Sequence, residues 1–181
     1  QAMTWIKPKN ILYIATKGLG LYSALTGTSA ETTIGEDVFQ LGIVMDRDKL
    51  KYGLSELLKN SKIKAKQIEV YVLLGPGFYF GATSTFAKIS KATIQNYVSD
   101  FLTDVPYEIN DTVTKFVINK KTCSVYTAQK RLIEGIKSVL SETGFKLKAI
   151  LPVDCLKFPL PNEGLTLNAK NFKLAGNLVR Y

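Results

Sequence analysis

The sequence predicts an α/β protein built on a mixed sheet (α+β), and three observations predict it. Short apolar runs of strand type recur at residues 11–15, 68–74 and 146–153. Three further stretches carry apolar residues at helical spacing. Glycines, prolines and polar caps separate the two kinds of segment, and strands interleaved with single helices build a layered sheet rather than a bundle.

The chain begins this pattern with ILYIATKGLGLYSALTG, residues 11–27. Residues 11–15 read as a strand and 21–25 as a second, with Gly18 and Gly20 supplying the turn between them. The polar stretch 26–36 reads as a loop and 38–45 as a third strand. Asp46 or Asp48 caps the first helix, in which Leu50, Leu54, Leu57 and Leu58 form one apolar stripe. Its lysine-rich exit leads to a strand at 68–74 that stops at Gly75-Pro76-Gly77. An aromatic strand-like piece follows at 78–87. Ser90 caps a second helix with Ile94, Tyr97, Val98, Phe101 and Leu102 on one face, and Pro106 ends that region. Residues 113–118 and 124–126 read as a hairpin turned at 119–121. Thr127 caps a third helix, with Leu132, Ile136, Val139 and Leu140 inward and Gly144 at its C-terminal cap position. The last strand lies at 146–153, and beyond Pro159 and Pro161 residues 162–181 suggest a short strand or hairpin.

This order divides the chain into a main unit, 6–77 with 121–158, and an inserted strand–helix–strand unit, 78–120. Residues 159–181 form a tail or linker.

Composition narrows the chemistry. Hydrophobic residues make up 46% and charged residues 22%, as in a globular core-forming chain, and the apolar runs are too short to cross a bilayer. Histidine is absent, which removes histidine-assisted serine or cysteine catalysis. Two cysteines, Cys123 and Cys155, lack metal-type spacing and read as buried free thiols. No pair of carboxylates has a spacing that suggests acid/base chemistry. The formal charge of +9, with lysines grouped at 59–66 and 115–121, favours an anionic partner: nucleic acid, a phospholipid surface or an acidic protein. Nucleic-acid binding is the alternative class. It is not the expected one, because no aromatic–basic motif and no helix-turn-helix spacing accompany the charge.

Three stretches carry a family resemblance: IEVYVLLGPGFYF (68–80), YFGATSTFAKISKATIQNYVSDFLTDVPYEI (79–109) and VYTAQKRLIEGIKSVLSETGFKLKAILPVDCLKF (125–158). In order and spacing they resemble the PilM-type assembly proteins of type IV pili, relatives of FtsA and of the cytoplasmic domain of the type II secretion protein GspL. The resemblance implies an actin-like (ribonuclease H-like) first lobe with an inserted small subdomain. In actin-like ATPases the first hairpin reads Asp-x-Gly-Ser/Thr. Laid on that pattern, the aspartate position falls on Ile14 and the first glycine on Thr16. An isoleucine cannot act through metal-bound water, and Gly18 and Gly20 then read as a turn requirement rather than a phosphate cradle. The roughly 25 residues after Asp154 fall short of a second lobe, which needs on the order of 100 residues. A fragment of an actin-like ATPase, with Asp154 as its acid, is the remaining alternative.

The expectation is therefore a non-enzymatic cytoplasmic scaffold at the inner face of the cell membrane, with no cofactor. By resemblance its partners are a PilN-like inner-membrane protein, or that protein's N-terminal peptide docked beside the inserted unit, and other pilus or secretion assembly components. The candidate docking residues are the aromatics Phe78, Tyr79, Phe80, Phe86 and Tyr97. Lys170, Lys173 and Arg180 read as the cytoplasmic flank of a transmembrane helix of the GspL kind.

Overall fold

A computed structural model describes residues 5–64, 67–155 and 174–175. In chain order its elements are β1 (Trp5–Ile6), β2 (Asn10–Ala15), β3 (Gly18–Ser23), β4 (Ser29–Thr33), β5 (Phe39–Gln40), β6 (Ile43–Val44), α1 (Arg47–Ser61), β7 (Ile68–Leu74) and β8 (Tyr79–Thr85). They continue with α2 (Lys91–Thr103), β9 (Thr112–Asn119), β10 (Thr122–Gln129), α3 (Lys130–Glu142), β11 (Phe145–Pro152) and β12 (Leu174–Ala175). The readings for 156–173 and 176–181 fall outside the described residues.

The main sheet has the order β11-β7-β2-β3-β4. β11 and β2 both run parallel to β7, while β3 and β4 are antiparallel, so the sheet is mixed as expected. Of the parallel strands, β2 and β7 are apolar but for Asn10 and Glu69 because both of their faces are covered, while the edge strand β11 carries Lys146 and Lys148. One face carries Leu12, Ile14, Leu21, Val70, Val72 and Leu74 against α1 and α3. The other carries Ile11, Tyr13, Tyr22, Leu73 and Leu151.

α1 starts where Asp46 accepts a 2.9 Å bond from the backbone N–H of Lys49, and it buries Leu50, Leu54 and Leu57. α3 buries Leu132, Ile136, Val139 and Leu140, and Gly144 follows it at φ 83°. Thr127 is not its cap. It is a buried residue of β10, and Gln129 opens the helix without a side-chain bond.

A second sheet, β8-β10-β9, is antiparallel. Its central strand is residues 122–129, so the expected boundary near residue 121 separates hydrogen-bonded neighbours. Ser90 caps α2 through the N–H of Thr93 at 3.1 Å. Ile94 is the one residue that α2 buries.

Three local expectations need correction. Gly18 and Gly20 are not the turn: they lie in β3, neither has a positive φ, and the hairpin turns at Thr16-Lys17. Gly20 is required for another reason, since a Cβ there would stand 2.6 Å from Tyr22 Oη, whose ring lies over it. The loop at 26–36 contains the edge strand β4, whose polar residues face outward while Ala30 is buried, so polarity alone did not mark a loop. The strand at 38–45 is a miniature hairpin, β5–β6, turned at Leu41-Gly42 with φ of 53° and 70°.

Candidate functional site

The β2–β3 hairpin is the place where an actin-like enzyme would hold phosphate and metal. Here Ile14 is 0% exposed, its side chain in the core between the sheet and the helices. Its carbonyl accepts a 2.8 Å bond from the N–H of Gly75, which ties the hairpin to the next turn. Thr16 is exposed at the tip. Lys17 beside it pairs with Glu36 at 2.6 Å, both side chains in solvent. Gly18 and Gly20 line a shallow hollow of about 320 Å³ with Tyr13, Tyr22 and Glu31. Tyr22 donates to Glu31 Oε1 at 2.8 Å, and burial first, then this bond, pushes its phenol up. Glu31 and Glu36 are thus engaged with protein groups. Among the described residues no group of three or more histidines, cysteines and acids is placed to hold a metal.

A second site lies between the two sheets. Alternation along a strand assigns each residue of the small sheet to one of two faces. Cys123, Val125, Phe116 and Ala82 share the face under α2. Tyr126, Lys115, Val113 and Tyr79 share the opposite, inner face, which looks toward β11. Gly81 stands opposite Tyr126 and clears its ring: a Cβ would come within 2.8 Å. Tyr126 meets Tyr79 edge-on, ring centroids 6.0 Å apart. Tyr79 donates to Asp154 Oδ2 at 2.9 Å, just beyond the end of β11.

Inside this groove is a socket of about 40 Å³. It is lined on the small-sheet side by Val113, Lys115, Tyr79 and Tyr126, and on the other by Ile133 of α3 and Ile150 of β11. Burial pushes the Tyr126 phenol up to about 12, with the nearby thiol of Cys155 second in effect. Cys155 is itself buried, and burial pushes its thiol up. Lys115 is half-buried, and desolvation holds its ammonium below the ordinary lysine range.

The five candidate aromatics do not form one surface. Phe78 is 4% exposed and packs edge-on against Phe39, centroids 4.8 Å apart, so it is core rather than docking surface. Tyr79 faces the groove. Phe80 is 41% exposed and meets Tyr107, while Phe86 meets Tyr97 of α2 at 5.4 Å. The groove residues that sequence reasoning missed are Val113, Lys115, Ile133 and Ile150. The available signal was the triplet Val113, Lys115, Val117, a lysine on the inward register of an apolar strand.

No protein-family model matches the chain, and no curated protein matches it in sequence. Solved structures do. A chain of the PilM–PilN type IV pilus biogenesis complex aligns with a TM-score of 0.62 and 14% identity, over 82% of this chain. The cytoplasmic domain of EpsL, an inner-membrane component of the type II secretion system of Vibrio cholerae, aligns with a TM-score of 0.54 and 16% identity, over 86% of this chain. The chain spans 48% of the first and 60% of the second. Among the described residues no helix is long and apolar enough to cross a membrane. These two likenesses show that the chain, with its mixed sheet and its helices α1, α2 and α3, shares the α/β fold of those two structures.

Proposed function

We propose that the chain is a scaffold of a type IV pilus or type II secretion-like assembly platform, working at the cytoplasmic face of the inner membrane without catalysis. Its task on this reading is to dock a short segment of a PilN-like membrane protein in the groove between the small sheet and β11. The likeness to a PilM–PilN complex and to EpsL carries the proposal, because both belong to such machines. Two features support it. The position that an ATPase gives to its metal-directing aspartate is a core isoleucine, Ile14. The groove offers apolar walls and aromatic anchors, the surface that peptide docking uses.

The test has two arms. Thermal unfolding in millimolar Mg·ATP is expected to show no shift. A saturable shift, about 2.7 kcal/mol at a hundredfold excess over Kd, would overturn the non-catalytic reading. Synthetic N-terminal segments of the inner-membrane proteins of the same cell are expected to include one that binds and is displaced by Ile150→Glu. Binding that ignores this substitution would remove the groove from the proposal.

A further inference from the structure

Lys115 is the unusual residue of the groove. It lies opposite Tyr126 in the register of β9 and β10, on the same face as Val117, which is 8% exposed. It lines the socket together with Val113, Ile133 and Ile150. A Cys155 thiolate would act on it as an opposite charge, but burial keeps that thiol protonated, and Lys137 of α3 acts as a second positive charge. Five exposed lysines have acids: Lys17 has Glu36, Lys49 has Asp37, Lys51 has Glu142, and Lys146 and Lys148 share Glu69. Lys115 makes no ion pair among the described residues. The acid on its side of the groove, Asp154, receives the Tyr79 hydroxyl instead. A half-buried cation without a counter-charge opposes folding, since desolvation penalises its charged form.

Resting on the docking role proposed above, we infer that Lys115 is an anion receptor: the socket takes the carboxylate of an aspartate or glutamate side chain of the docked segment. The second charge, Lys137, adds to the attraction. The volume agrees, since about 40 Å³ holds a few waters or the end of one short side chain. The apolar walls suit the stem of that side chain and its neighbours in an extended segment. The groove therefore selects on charge at one position and on apolar contact around it.

A library of short random peptides displayed on phage, selected on the whole chain, is the probe. Enriched peptides are expected to share one acidic residue. Changing it to its amide should weaken binding to the wild-type chain about tenfold and leave binding to Lys115→Met nearly unchanged. Lys115→Arg should retain most of the affinity, and Lys115→Met should melt no lower than wild type. Enriched peptides whose acids are absent, or whose binding ignores Lys115→Met, would overturn the inference while leaving groove docking intact, provided Ile133→Ala or Ile150→Glu still weakens them. Loss of binding on C-terminal amidation would show the chain end to be the anion and would also overturn it. Failure to enrich any peptide, or binding indifferent to both groove variants, would overturn the docking role itself.

Discussion

The two sheets of this protein are closed to different degrees. In the five-stranded sheet, Leu12, Ile14 and Leu73 are wholly buried, and one face is clamped by α1 and α3. In the three-stranded sheet, β8 has only half-buried and exposed positions, and Ile94 is the one residue that α2 buries. The main sheet thus holds most of the folding free energy, because buried apolar area is what supplies it. The small sheet holds the surfaces left for other molecules. The groove sits where the two meet, so its walls come from both.

The strongest way to break this comparison is to delete one core side chain from each part. Leu54→Ala, at 0% exposure beneath the main sheet, is expected to lower the unfolding free energy by about 2–5 kcal/mol in urea titration. Ile94→Ala should sit near the bottom of that range, about 2 kcal/mol, since its surroundings are already half open. Equal losses would mean that the small sheet is as tightly closed as the main one.

Gly20→Ala should cost about 1–3 kcal/mol, because Tyr22 would have to leave its place over β3. A milder loss would show that the Tyr22 ring swings aside freely.

Helix caps sharpen the contrast further. Asp46→Ala and Ser90→Ala each remove a bond to a first-turn N–H and should cost about 1 kcal/mol. The first should appear as a lower global midpoint. The second should speed amide exchange in α2 while leaving β2 unaffected. Slower-exchanging strands that respond to Ser90→Ala would show that the two sheets unfold as one.

The smallest expected effect is alkaline. Burial raises the phenols of Tyr22, Tyr79 and Tyr126 in the folded state, the last to about 12. A raised folded value keeps its stabilisation below the unfolded value, about 10, and loses it as pH climbs through the folded one. Urea midpoints should therefore fall between pH 9.5 and 12, with delayed tyrosine absorbance at 295 nm. Ionisation of all tyrosines at the ordinary pH would show that the groove and the β3 face are wet.

Much of the fold was legible because its strong elements obey simple periods. Leu50, Leu54 and Leu57 mark α1, and the run of β7, alternating at first and apolar but for Glu69, marks a strand. The errors fall where polar or glycine residues serve a tertiary purpose. Gly20 makes room for a ring, Ser29–Thr33 is an edge strand that can face outward, and Thr127 is held inside β10 by its neighbours. The groove was less legible for a different reason. Its walls come from β9, α3 and β11, which are distant in sequence, and its two aromatics, Tyr79 and Tyr126, come from different strands. Tyr79 alone of the five expected aromatics lines it.

The two thiols provide an internal clock for this architecture. Cys123 lies at 0% exposure on the α2 side of the small sheet, and Cys155 at 4% on the side of the main one. A thiol reagent reaches a buried cysteine only when the structure above it opens. Modification kinetics of single-cysteine variants would time the opening of the two units separately. An occupied groove, which bridges both, should slow the two rates together.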